Sequence, residues 1–131
     1  MQHQFKFSKN ERLSSKKTID KLFTDGKALF AFPFRIIVLP SQTETSAPVQ
    51  VLFSVPKKNF KRAVHRNLIK RRMREAYRLN KNSFTSNFST SDTSIAIMFI
   101  YIEKEIKDYA SIEKGMKKAL SKIGQLLATT K

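Results

Sequence analysis

The chain has no cysteine, only three glycines and only ten acidic residues in 131. Without cysteine there can be no disulfide and no thiolate-bound zinc, a composition suited to a reducing compartment. Gly26, Gly115 and Gly124 stand far apart, so no glycine-rich loop is available to wrap the phosphates of a nucleotide. The acids are scattered. A metal-dependent nuclease needs converging carboxylates, and Glu103, Glu105 and Asp108 read instead as the mixed-charge approach to a helix. Hydrophobic runs are short: the longest, Ile95 to Ile102, is eight residues, against about 20 for a bilayer span. The start, Met1-Gln2-His3-Gln4-Phe5-Lys6-Phe7, lacks the apolar core of a secretion signal. The expectation is a cytoplasmic protein, outside the membrane, with no catalytic residue, metal ligand or cofactor of its own.

Positive charge is what the chain has in excess. Its 26 Lys and Arg leave a formal net charge of +16, and self-repulsion of that size opposes a compact state. A polyanionic partner removes the repulsion; RNA, DNA and anionic lipid are the candidates. The charge is uneven, with eleven of the basic residues and a single acid, Glu75, between residues 57 and 81. Forty percent apolar residues, eleven of them Phe, supply a core that a disordered basic tail would lack. The length suits one domain, residues 1–131, with short flexible ends at about 1–8 and 128–131.

Along the chain, Ser14-Ser15 followed by Lys16-Lys17-Thr18-Ile19-Asp20-Lys21-Leu22-Phe23 reads as a short capped helix that Gly26 stops. Phe34–Leu39 and Val49–Val55 are β-rich, end at Pro40 and Pro56, and are expected to pair as antiparallel neighbours across a polar loop. A helix over 61–80 and a Ser/Thr/Asn-rich loop over 81–94 come next. Ile95–Ile102 is apolar on both faces and should be a central strand. The last helix runs from about Asp108 to Ala128. Its stripe is Ile112, Met116, Ala119, Leu120, Ile123 and Leu127, with Lys114, Lys117, Lys118 and Lys122 largely outside it. The order α-β-β-(β)-α-β-α predicts a two-layer α/β (α+β) sandwich with a small mixed sheet of about four strands.

The segment 57–79 is the informative one. At about 100° per residue, Asn67, Lys70, Arg71, Arg74 and Arg78 share one arc of a helix. Leu68, Ile69, Met73, Ala76 and Leu79 occupy the other half, with Tyr77 at its edge and Arg66 on the margin. Arg72 and His65 project into the apolar half. Arg72 can lay its stem over the core and keep its head in water; His65, with no second ligand at metal spacing, reads as a packed or surface residue. An Arg fork matches phosphate geometry and Lys adds a mobile point charge. A solvated charged face is the ordinary explanation of such an arc, but eleven bases around one acid favour nucleic-acid binding. This reasoning leaves DNA and RNA open. Phe53 alternates with Val49, Val51 and Val55, a pattern of core packing more than of base stacking.

The residues also resemble a family. Phe53-Ser54-Val55-Pro56-Lys57-Lys58, then Lys61-Arg62-Ala63, then Arg66-Asn67-x-x-Lys70-Arg71-x-x-Arg74-Glu75, with Arg12-Leu13 and Phe23-x-x-Gly26 upstream, is similar to the signature of the bacterial ribonuclease P protein subunit. The resemblance implies a sandwich with a left-handed βαβ crossover that holds the Arg-Asn helix. It implies that this helix contacts a catalytic RNA, which performs the hydrolysis with magnesium, and that a cleft takes the 5′ leader of precursor tRNA. Carried over by position, Lys57, Lys58, Lys61, Arg62, Arg66, Asn67, Lys70, Arg71, Arg74, Arg78 and Arg12 would touch RNA. Phe23, Phe34 and Phe53 would be cleft or core aromatics near the leader, and no protein partner is implied. The chain departs from the family at Leu68 and near Glu103, where a basic residue is usual, and near Ile37, where an aromatic is common. Two other readings remain: a ribosomal or ribosome-assembly protein using the same face, and a DNA reader with a recognition helix. The apolar central strand suits a sheet-based RNA protein better than a small helical DNA reader.

Overall fold

A computed structural model describes residues 16–41, 49–85 and 94–129. Its elements are α1 (Lys16–Asp25), β1 (Lys27–Ala31), β2 (Phe34–Ser41), β3 (Val49–Ser54), α2 (Ala63–Thr85), β4 (Ser94–Tyr101) and α3 (Tyr109–Thr129). The optional strand of the expected order is β1. α1 stops at the glycine: the Gly26 N–H donates to the Leu22 carbonyl at 3.0 Å. A methyl group at Gly26 would strike that carbonyl and the Ile37 side chain, so the absent side chain is what lets α1 end tight against β2.

One sheet holds the strands in the order β1-β2-β4-β3. β1 and β2 form an antiparallel hairpin through Phe32 and Pro33, β2 runs antiparallel to β4, and β3 runs parallel to β4. The expected β2–β3 pairing is therefore corrected, because β4 lies between them. Residues Ile95 to Phe99 are all buried, and a strand apolar on both sides gains most from a central slot covered on both faces. The parallel β3–β4 pair needs a crossover element, and α2 supplies it. α2 also runs to Thr85, five residues beyond the expected 61–80, and α3 continues to Thr129, past the start of the expected tail. Most of the two polar loops, residues 42–48 and 86–93, lies outside the described residues.

Alternation along the strands builds two unequal cores. On one face Phe34, Ile36 and Val38, Val49 and Val51, and Ile95, Ile97, Phe99 and Tyr101 pack with Ile69, Met73, Ala76 and Tyr77 of α2 and with the apolar stripe of α3. On the other face Ile37, Ala96 and Met98 meet Leu22, flanked by Ile19, Leu39, Leu52 and Ile100. Sheet and α2/α3 form the two main layers, and α1 partly covers the far face. α2 packs on β3, α3 on β1 and β2.

The larger core is strongly aromatic. Phe53 stacks on Phe99 at 5.7 Å, Phe34 meets Phe99 and Tyr101 edge-on at 6.1 and 6.3 Å, and Tyr77 closes on both Phe53 and Phe99. Such edge and offset contacts add to the area they bury. Tyr101 also organises the loop after β4: its hydroxyl donates to the Glu105 carbonyl at 2.6 Å and accepts from the Lys107 N–H at 3.0 Å. Burial raises the Tyr101 pKa, keeping it a donor.

Candidate nucleic-acid interface

α2 is positioned by four buried residues, Ile69, Met73, Ala76 and Tyr77. Tyr77 is therefore core rather than edge, drawn in by Phe53 and Phe99, and the helix is rotated accordingly. Leu79, expected inside, is 41% exposed. The opposite arc is as the spacing predicts. Asn67, Arg71 and Arg74 are exposed and Lys70 is partly so. None of these four is in an ion pair or side-chain hydrogen bond among the described residues. Arg78 differs: it holds Glu75 in a two-pronged contact at 2.9 and 2.7 Å. That hydrogen bond lowers the Glu75 pKa, and the lone acid of the segment is thereby satisfied within the helix.

The approach to α2 adds more cations. Lys57 and Lys58 are exposed in a turn closed by the Asn59 N–H on the Pro56 carbonyl at 3.2 Å. Phe60 is buried and pins the chain, and Lys61 and Arg62 stand exposed just ahead of the helix. No acid occupies the first turn of α2, so these cations gather where the helix dipole is already positive. That arrangement costs stability on its own and suits an anion.

Arg66 and Arg72 have partners inside the fold. One Arg66 nitrogen donates to the carbonyls of Phe60 (2.7 Å) and Lys61 (2.9 Å), clamping the approach segment to α2. Arg72, expected to hold its head in water, donates to the Lys107 carbonyl at 2.6 Å and ties α2 to the loop before α3. His65 is half-buried, and among the described residues no group of three or more His, Cys, Asp or Glu could hold a metal. Arg12 lies outside the described residues.

The three phenylalanines are not brought together. Of the two expected places, cleft or core, Phe34 takes the core: it is completely buried, enclosed by Phe99 and Tyr101. Phe53 is half-buried on the α2 side of the sheet. Phe23 belongs to α1 on the other side and is 61% exposed, so of the three it alone offers an open ring there. The sequence reading passed over Phe30, Phe32 and Arg35, all exposed. Arg35 had a signal, as the one charge in an otherwise apolar strand; alternation of Phe30, Phe32 and Phe34 did not reveal which rings face out.

Residues 7–124 match the ribonuclease P family. The chain belongs to the ribonuclease P protein family. The ribonuclease P protein component of Porphyromonas gingivalis is 37% identical over 119 residues, covering 91% of this chain and 87% of that one. That of Chlorobaculum tepidum is 38% identical over 100 residues, covering 71% and 65%. Among solved structures, the ribonuclease P proteins of Staphylococcus aureus and Thermotoga maritima superpose with a TM-score of 0.68 each, at 20% and 22% identity. They cover 88% and 86% of this chain and 95% and 96% of their own. At that identity the superposition speaks for the fold, and the family assignment rests on the sequence relatives. This ribonuclease P protein carries its family's Arg-Asn helix on the β3–β4 crossover.

Proposed function

We propose that this protein component of ribonuclease P binds the enzyme's catalytic RNA through Lys57, Lys58, Lys61, Arg62, Asn67, Lys70, Arg71 and Arg74, and receives the 5′ leader of precursor tRNA beside Phe23 on the α1 side of the sheet. Hydrolysis belongs to the RNA with its magnesium, and the protein works in the cytoplasm; among the described residues no helix is long and apolar enough to cross a membrane. The observation that carries the reading is the α2 arc itself, whose Lys70, Arg71 and Arg74 have no acidic partner among the described residues. Seven cations and an amide along one helix and its approach can follow a sugar-phosphate backbone. Arg78 belongs at the edge of this surface, because Glu75 already engages it.

The test is the salt dependence of binding to the catalytic RNA. Each phosphate contact adds about −0.9 to the slope of log affinity against log salt on duplex, and about −0.7 on single strands. Lys70→Ala and Arg74→Ala should each weaken binding and flatten the slope by about one contact's worth. Slopes equal to that of the unaltered protein would remove the arc from the interface.

A further inference from the structure

Away from α2, a second group of cations stands beside open aromatic rings. Phe30 and Phe32 flank the tip of the β1–β2 hairpin and are each 59% exposed. The loop after β4 lies against this tip, since the Ile102 N–H donates to the Pro33 carbonyl at 3.0 Å, and Ile102 and Ile106 are exposed as well. Clustered exposed apolar groups mark an interaction surface more often than scattered ones do. The cations come from three elements. Lys107 Nζ lies 5.8 Å from the Phe32 ring centroid, and also 3.5 Å from the Glu105 carboxylate. Lys122 of α3 donates to the Phe30 carbonyl at 2.5 Å. Arg35 is exposed and sits directly across from Phe30 in the sheet. A methyl group at Gly115 would strike the Phe32 carbonyl and Pro33, so α3 seats directly on the hairpin and fixes its lysines relative to the rings.

Two features identify the partner. β1 is an edge strand, and an edge with open rings invites another strand, but Lys122 on the Phe30 carbonyl opposes strand addition. Rings bordered by ammonium and guanidinium groups instead suit unpaired nucleotides, which stack on aromatic faces while their phosphates meet cations. The surface is also distinct from the α2 arc. Where α2 meets α3, Tyr109 and Asn80 both donate to Glu113, each at 3.3 Å, and on α2 Arg78 holds Glu75. Its continuity is with the other side: Phe30 and Arg35 share the sheet face with Ile37, which lies under Leu22 of α1.

We propose that the hairpin tip, with Arg35, Lys107 and Lys122, is a second single-strand site that stacks leader nucleotides upstream of those held beside α1. The proposal rests on the leader reading above, and the experiment separates the two. The holoenzyme, reconstituted with the matching RNA, is given precursor tRNAs with a leader trimmed to a few nucleotides and with a long one. The double variant Phe30→Leu, Phe32→Leu removes both stacking faces while keeping apolar side chains of similar reach. It should lose about fivefold or more in affinity for the long leader, the low end for one stacked base, with short-leader affinity and melting temperature unchanged. Phe30→Tyr, Phe32→Tyr should restore the long-leader affinity. Phe23→Leu should weaken both leaders. If the double variant keeps the long-leader advantage while Phe23→Leu lowers both affinities, the hairpin site is overturned and the leader reading stands. An equal loss on every substrate overturns it too, as would a loss confined to the catalytic RNA. A native holoenzyme that binds both leaders equally overturns the hairpin site alone, and one that binds mature tRNA, with no leader, as tightly as either precursor overturns both readings together.

Discussion

Arg66 turns a guanidinium nitrogen toward two carbonyls of its own chain, so its first effect is on the protein and only its second on RNA. Replacing it with Ala leaves the Phe60 and Lys61 carbonyls without that donor, and hydrogen bonds from a charged donor contribute about 1.5–3 kcal/mol. Arg66→Ala should therefore lower the melting temperature of the RNA-free protein by several degrees, whereas Arg71→Ala, on an exposed side chain with no partner among the described residues, should leave it unchanged. Equal melting temperatures for the two variants would show that the clamp carries no stability. Charge patterning put both arginines near the RNA side and could not separate them, because what distinguishes them is a turn five or six residues away. The same limit applies to phenylalanine. Phe34 and Phe23 are chemically identical, and their opposite fates, core and open ring, are decided by the strand and helix that close over one of them.

At the scale of elements, local periodicity carried most of the fold. The core stripe of α3 from Ile112 to Ile123 and the helix start are as spacing predicts, the Leu127 side chain lying outside what the structure describes. Asp108 shows why the helix begins there: its carboxylate accepts from the Ser111 N–H at 2.9 Å. Hydrogen bonding by Ser111 holds the Asp108 carboxyl below its ordinary value of 3.8. A lowered pKa means the folded state favours the ionised form, so the cap is at full strength above the ordinary value and is lost as pH falls through the lowered one. Acidification through that window should lower the protection of the Ser111 amide relative to an unstructured peptide at the same pH, and Asp108→Ala should show low protection at all pH values. Slow exchange in the variant at neutral pH would mean the cap does not hold this turn. What periodicity missed is non-local. Nothing in β2 or β3 says that a strand some forty residues past β3 will separate them, and the helix wheel could not weigh Tyr77 against Leu79 without knowing that Phe53 and Phe99 were waiting.

For the whole molecule, the excess of +16 matters more than any single contact. Ordinary ion pairs among the described residues are few, Arg78–Glu75 and Lys107–Glu105, so most of the repulsion is left for a polyanion to relieve. Under the proposed function, the protein neutralises and positions while the RNA reacts. Stripped of RNA, the protein should leave precursor tRNA intact in magnesium. Added to the matching RNA, it should permit cleavage at magnesium concentrations where the RNA alone is slow, because its cations replace part of the ion atmosphere. Magnesium-dependent cleavage by the RNA-free protein would contradict this. Composition and the Arg-Asn segment made this level readable from sequence, since net charge does not depend on how the chain folds.

The placement of β4 has a consequence for how the chain is made. Among the described residues it is the last strand to be synthesised and the only neighbour that β2 and β3 share. A nascent chain that has not yet delivered residues 94–101 owns a β1–β2 hairpin and an unpaired β3, with no sheet for α2 to cross. Sequence-distant pairings of this kind form late, after the loop entropy has been overcome. The basic helix is thus translated ahead of the strand that will seat it, and closure of the fold waits until residues 94–101 have been made.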